Sequence, residues 1–324
     1  MVNVPAISVV MPVYNEASNL QLLLDKLYTT MHKMQVDFEL IFVNDGSTDA
    51  SLDILKAFSL RYDEVKYISL SRNFGHQVAI SAGLDATSGY AVIIMDADLQ
   101  DPPELIPSLY EKLQEGYEVV YARRIHRKGE SYLKKATAKL FYRILSKITQ
   151  VNIPMDTGDF RIMDAKVVKV LKQMPERNKF LRGQVAWVGF RQTWVCYNRD
   201  ERKEGKSGYT YGKLLRLAFD GITSFSDFPL KMASMMGFIV SGVAFLLMIY
   251  TLLVRLVFKD YVEGWASIIL SVLFLGGVQL ICIGIVGEYL ARVFNNVQGR
   301  PLYVVDEQQL KTRLVEDQKS KMEQ

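Results

Sequence analysis

Three carboxylates, Asp96, Asp98 and Asp101, follow directly on an apolar run in "YAVIIMDADLQDPPE". Like charges this close repel and raise one another's pKa. A buried strand that ends in them calls for a compensating cation. An Asp-X-Asp pair suits a divalent ion such as Mg2+ or Mn2+. Such an ion takes one or two protein carboxylates and fills its shell with phosphate oxygens and water. Two further segments carry similar chemistry, "PVYNE" (Pro12–Glu16) and "VNDGSTD" (Val43–Asp49). If their ends converge, one crevice collects Glu16, Asp45, Asp96 and Asp98, which suits a cation carrying a diphosphate better than a bare anion.

The elements that must position these residues are readable over the first ~200 residues. "AISVVM", "FELIFV", "VKYISL" and "YAVIIM" read as strands. "ASNLQLLLDKLYTTM", "SLDILKAFSLRY", "HQVAISAGLDATS" and "PPELIPSLYEKLQEG" read as helices. Near-continuous apolar strands alternating with amphipathic helices predict an α/β fold, Rossmann-like, with a mostly parallel sheet covered on both faces. In such sheets ligands bind beyond the carboxyl ends of the strands, which is where the acidic segments fall.

The C-terminal third differs. Met232–Val254 and Gly264–Gly287 contain no charged side chain, and each exceeds the ~20 residues that cross a ~30 Å hydrocarbon core. They predict transmembrane helices over 232–254 and 264–287, joined as a hairpin. The basic residues of the two flanks together (Lys206, Lys213, Arg216 and Lys231 before, Arg292 and Arg300 after) outnumber Arg255 and Lys259 of the link, so the flanks are expected on the cytosolic side. Residues 1–208 then form a cytosolic domain, 209–231 an interfacial region and 288–324 a loosely ordered cytosolic tail. "SYLKKATAKLFYRILSKITQ" (Ser131–Gln150) reads as a basic amphipathic helix for a membrane surface. The net charge of +4 is small for 324 residues and calls for no nucleic acid. Cys196 and Cys282 have no metal-site spacing, and the N-terminus reads as a strand rather than a signal peptide.

"VVMPVYNE", "FVNDGSTD", "SRNFGH", "AGLDATSG", "MDADLQDPPE" and "TGDFRIMD" together resemble the inverting A-type glycosyltransferases that use polyprenyl phosphate. The chain is most similar to the bactoprenol glucosyltransferases of O-antigen modification, with the dolichyl-phosphate mannose synthases beside them. The likeness continues through "PERNKFLRGQVAWVG" into the hairpin and "RPLY". It implies a nucleotide-sugar domain on a membrane anchor in the bacterial inner membrane, transferring glucose from UDP-glucose to undecaprenyl phosphate with inversion. UDP-N-acetylhexosamine, UDP-galactose and GDP-mannose are alternative donors for such a pocket. The resemblance assigns Pro12, Tyr14 and Glu16 to the nucleoside pocket, Asp45 to the base and Asp96 to the ribose or sugar side. Asp98 would bind the metal, joined by Gln100 and Asp96, and Asp159 would be the catalytic carboxylate. Arg123, Arg124, Arg161 and Lys206 would serve the donor and acceptor phosphates. Arg161, two residues beyond Asp159, can share its strand face and pair with it.

Plainer roles compete at several positions. Asp49 reads as a helix cap, and Asp101, before Pro102-Pro103, as another. Glu16 is equally a first-turn acid. His76 and Gln77 can approach the donor or merely start a helix, and Arg182 lies on a helix at the acceptor side. A processive polysaccharide synthase would share the nucleotide site, but "GQVAW" lacks the arginine of its acceptor-helix pattern. A non-enzymatic scaffold would be expected to lose Asp96, Asp98 or Asp159, and a transporter to carry charges inside its spans. Self-association would suit so small an anchor.

Overall fold

The computed structural model describes residues 4–124, 157–197, 226–253 and 264–310. The expected helix at 131–150, Lys206, the region 209–225 and the link 254–263 lie outside the described residues. These fall into two compact units. One holds 4–124, 157–197 and 300–310; the other holds 226–253 and 264–299.

The first unit is built on a sheet. Strands β1 (Ile7–Val13), β2 (Phe38–Asn44), β3 (Val65–Leu70) and β4 (Ala91–Ile94) pair in parallel, in the spatial order β4-β1-β2-β3. Successive side chains point to opposite faces, and both faces are covered. Val9 and Met11 pack under α1 (Leu20–Met34), α2 (Ser51–Arg61) and α4 (Ile106–Gln114). Val10 packs under α3 (His76–Ala86), α5 (Ala165–Gln173) and α6 (Leu181–Trp187). Helix α1 buries Leu20, Leu23, Leu24, Leu27 and Met31, the 3–4 spacing of one helical face, each contributing about 2 kcal/mol. Helix α3 lies so close to the sheet that a Cβ on Gly83 would stand 2.3 Å from a methyl of Val10.

Three more strands extend the sheet beyond β4. These are β5 (Val119–Arg124), β6 (Thr157–Asp164) and β7 (Gln192–Tyr197), in the order β7-β5-β6-β4. Strand β6 is antiparallel to β4, with Ile94 opposite Arg161. Its first residues therefore lie at the carboxyl ends of the parallel strands, and continuing the register sets Asp159 opposite Asp96. The β1–β4 ladder stops with Val10 opposite Ile94 and one last bond from Met95 N to Val10 O. The next donor in that ladder would be Pro12, which has no N–H. The strands part there, at the point where strand order reverses.

The second unit contains α7 (Phe228–Leu253) and α8 (Trp265–Val297). Phe228–Leu247 and Phe274–Val297 are long and apolar enough to cross a membrane, and little of either is buried within the protein. Helix α8 runs ten residues past the expected end at 287, and its extension carries an ion pair between Glu288 and Arg292.

Residues 300–310, where a loose tail is expected, are ordered on the first unit. Val305–Gln309 adds an eighth strand, β8, antiparallel to β3 at the sheet edge. Tyr303, Val305 and Leu310 pack on the core below α3, and Glu307 pairs with Lys56. The polar composition misled because an edge strand buries only one face. Deleting Val305–Gln309 should strip hydrogen-exchange protection from the Val65–Leu70 amides while β1 keeps its own. Unchanged protection of β3 would refute the pairing.

Candidate functional site

Asp159 is the focus of the crevice. The residue is 6% exposed, and four side chains converge on it. Arg182 grips it with two bonds, Nε to Oδ1 at 2.9 Å and Nη2 to Oδ2 at 3.1 Å. Arg161 Nη2 donates to Oδ1 at 3.2 Å. His76 Nε2 lies 3.2 Å and Gln77 Nε2 3.5 Å from Oδ2. Burial raises the Asp159 pKa, but Arg182, His76 and Arg161 outweigh it and hold the carboxyl well below its usual range. The expected pairing with Arg161 is present. Arg161 itself is buried, donates to the carbonyls of Asp159 and Gly158, and lies over the ring of Tyr121.

Asp96 faces the opposite shift. Burial, and then the charges of Asp101, Asp159 and Asp98, push its pKa up to about 7, against the pull of His76. His76 Nε2 stands 3.5 Å from Asp96 Oδ1. That oxygen is buried with no hydrogen-bond partner among the described residues. Burial would lower the His76 pKa, yet Asp159 and Asp96 raise it above its ordinary value. His76 thus spans two carboxylates from the first turn of α3, whose amino end adds positive potential.

These features test the implied cation. No group of three or more His, Cys, Asp or Glu side chains suited to a metal occurs among the described residues. A diphosphate-borne Mg2+ or Mn2+ needs only one or two carboxylates. The unpartnered Asp96 oxygen and its raised pKa fit a missing positive charge, so the residues fit the ion. Asp98 Oδ1 accepts from the backbone of Gln100 across Leu99, whose φ of 60° turns the chain sharply. Gln100 is buried, and its Nε2 has no partner among the described residues. Turning this amide over would present its oxygen instead.

The β1 and β2 ends interlock beside this cluster. Ser47 Oγ accepts from Asn15 N, Asn15 Oδ1 from Thr48 N, and Asp49 from Ala17 N and Ser51 N. Asp49 thus accepts the first amide of α2 from one position before its N-cap, Ala50. Glu16 accepts from Asn19 in the turn before α1. Pro12 is buried in β1 and Tyr14 projects, 48% exposed. Both oxygens of Asp45 accept backbone N–H groups, from Phe74 at 2.7 Å and Gly75 at 3.0 Å. Asp45 thus clamps the loop that opens α3. Gly46 (φ +65°) meets that loop so closely that a Cβ would stand 2.5 Å from the Arg72 carbonyl carbon.

Other expectations need correction. Asp101 is no helix cap. Its Oδ1 accepts from Tyr197 OH at 2.7 Å and lies 3.6 Å from Arg124, tying the β4 end to β5 and β7. Arg123 and Arg124, adjacent in a strand, face opposite ways. Arg123 stacks over Trp194, and Arg124 donates to Tyr197 OH. His76 and Arg182 were left outside the expected catalytic set, yet both hold Asp159. The usable signal was Asp159 itself, since a buried carboxylate demands cations from neighbouring elements.

Replacing Arg182 with Gln removes two bonds to a buried charge. It should cost about 2 kcal/mol of stability, read as a lower unfolding temperature of the full chain; an unchanged temperature would contradict the clamp. Separately, a proton and a cation compete for Asp96. Below its pKa of about 7 the proton holds the carboxylate, and above it the carboxylate is free. Mn2+ affinity should therefore fall about tenfold for each pH unit below 7 and level off above. A flat titration across that range would remove Asp96 from the cation's shell.

Residues 8–171 match the family described as Glycosyl transferase family 2. Over 298 residues the chain is 50% identical to an uncharacterized glycosyltransferase, YkcC, of Bacillus subtilis (strain 168), covering 92% of each. Over 301 residues it is 46% identical to the uncharacterized glycosyltransferase sll0501 of Synechocystis, covering 93% of this chain and 95% of that one. Over 303 residues it is 43% identical to the SfII prophage-derived bactoprenol glucosyl transferase of Shigella flexneri, covering 92% and 97%. The matches span the sheet, the crevice and the apolar hairpin alike, and the chain belongs to glycosyl transferase family 2.

Proposed function

We propose that this chain transfers glucose from UDP-glucose to undecaprenyl phosphate, with inversion, at the cytosolic face of a bacterial membrane. The observation that carries the reading is Asp159, buried, ionised and held by Arg182, Arg161 and His76 opposite Asp96. The sugar and the lipid are those in the name of the Shigella relative. The two apolar helices supply an anchor for an enzyme whose acceptor is a lipid.

Each residue then has a task. Pro12, Tyr14, Glu16 and Asp45 border the nucleoside. Asp98, with Asp96 and Gln100, would hold Mg2+ or Mn2+ against the diphosphate. Once bound, that ion supplies positive charge for the departing diphosphate. Arg123, Arg124 and Lys206 serve the donor and acceptor phosphates, which guanidinium forks suit geometrically. The acceptor oxygen attacks the anomeric carbon from the side opposite the leaving group, so an α-linked donor gives a β-linked product.

Asp159 is not required to take a proton. A phosphate monoester has a second pKa near ~6 and is largely dianionic at neutral pH. A carboxylate held far below neutrality is a poor base. Its fixed negative charge instead stabilises the positive charge that develops on the sugar, and Arg182 and Arg161 fix its position.

The test is transfer by the purified full chain, with undecaprenyl phosphate, Mn2+ or Mg2+ and a panel of labelled nucleotide sugars. UDP-glucose should move label into the organic phase. Label from another donor would replace the sugar, and label from none would sink the reaction. Asp159→Asn should cut transfer by about 10²-fold or more with UDP affinity nearly unchanged. A collapse of UDP binding would make its role structural. Asp98→Ala should abolish the metal dependence of UDP binding.

A further inference from the structure

A cleft of about 280 Å³ opens at the far end of α3 from His76. It lies between α3, α5, the segment leading to α6, and the chain just after the hairpin. All of its walls belong to the first unit. Four cations, Lys172, Arg177, Lys179 and Arg300, line it against two carboxylates, Asp85 and Glu176. Both carboxylates accept from neutral donors. Tyr303 OH bonds Asp85 at 2.9 Å, and Gln184 Nε2 bonds Glu176 at 3.2 Å.

Lys172, Lys179 and Arg300 are left with weaker company. Lys172 Nζ makes only long contacts, 3.3 and 3.4 Å, to the carbonyls of Asp85 and Thr87. Lys179 Nζ bonds the carbonyl of Met174 at 2.7 Å. Among the described residues, neither lysine nor Arg300 has a carboxylate within the 4.0 Å of an ion pair. An ammonium has three donors, so both lysines retain N–H groups for a ligand. Partial burial lowers both lysine pKa values, the mark of cations held without a full counter-charge. The floor is apolar, with Leu84 and Leu171.

We propose that this cleft is a second ligand site, separate from the crevice at Asp159, that binds a phosphate group. Excess positive charge with lysine and arginine donors around an apolar floor is the chemistry that recognises a phosphate ester. Arg300 follows the last residue of α8, Val297, by three positions, so a lipid headgroup and free phosphate are the two sources. The cleft also includes Leu181, whose amide is held by Gln77 and whose neighbour Arg182 grips Asp159. A ligand there braces the segment that delivers Arg182.

The experiment uses the full chain in phosphatidylcholine nanodiscs. One arm titrates inorganic phosphate and follows the unfolding temperature. The other replaces part of the lipid with phosphatidylglycerol, without phosphate. Wild type should be stabilised in at least one arm; the first arm alone assigns free phosphate, and the second a headgroup. Lys172→Gln with Lys179→Gln should weaken the response by about tenfold or more. Lys172→Arg with Lys179→Arg should keep it, and UDP affinity should stay unchanged in both. If the glutamine pair does not fold, Arg300→Gln makes the same comparison. A wild type that responds in neither arm, or a glutamine variant with the wild-type response, overturns the site. UDP binding reports on the Asp159 crevice independently.

Discussion

Burying Asp159 in ionised form is the constraint on which the rest of the site depends. The effective penalty for taking such a charge out of water is several kcal/mol. A guanidinium about 4 Å away returns about 4 kcal/mol at an effective dielectric constant of 20. Two guanidiniums and His76 therefore outweigh the penalty, and the carboxyl stays ionised. The three cations come from three elements: Arg161 from β6, Arg182 from α6 and His76 from α3. One carboxylate thus fixes the relative positions of a strand and two helix starts. Gln77 adds a strut, reaching from α3 to the first amide of α6.

The same end of the sheet gathers every other group because of strand direction. The carboxyl ends of β1, β2, β4 and β5 and the amino end of β6 lie at one edge, the last because β6 runs antiparallel to its neighbours. The opposite edge carries a polar cluster in which Glu39 accepts from Lys66, Ser8 and Ser88. Strand β8 adds a topological condition. Residues on either side of the apolar hairpin belong to one sheet, so if α7 and α8 cross a bilayer the chain leaves and returns on the same side. Two spans satisfy that parity. The charge bias of the flanks pointed to the same arrangement by a separate route.

The fold of the first half was readable because its signals are local. Continuous apolar strands, leucines at helical spacing in α1, and Pro and Gly at the joints each report on their own segment. The placing of Asp96 and Asp98 at the end of a strand was readable for the same reason. What escaped depends on contacts distant in sequence. Asp101 resembles a cap beside two prolines, but its partner Tyr197 lies 96 residues away. Arg182 meets Asp159 across 23 residues, and His76 meets it across 83. Strand β8 is the extreme case. "VDEQQ" alternates too few apolar residues to announce a strand, and its place at the sheet edge is set by β3, more than two hundred residues earlier.

Asp96 and Asp159 face each other across β4 and β6 and share His76, yet their pKa values move in opposite directions. Environments that drive two neighbouring carboxylates apart assign them different work. Asp159 is saturated with cations from the protein, so it keeps a constant charge near neutrality. Asp96 is short of positive charge, so it exchanges a proton for whatever cation arrives. If both were equally compensated, a divalent ion would gain little at this edge; if neither were, the two charges could not be buried together. The asymmetry leaves one open position for added positive charge, on the Asp96 and Asp98 side where a diphosphate would enter. On the proposed reading, the other side holds the fixed carboxylate of Asp159, facing the carbon where positive charge would develop. A reaction that separates a diphosphate from a sugar needs those two environments within one crevice.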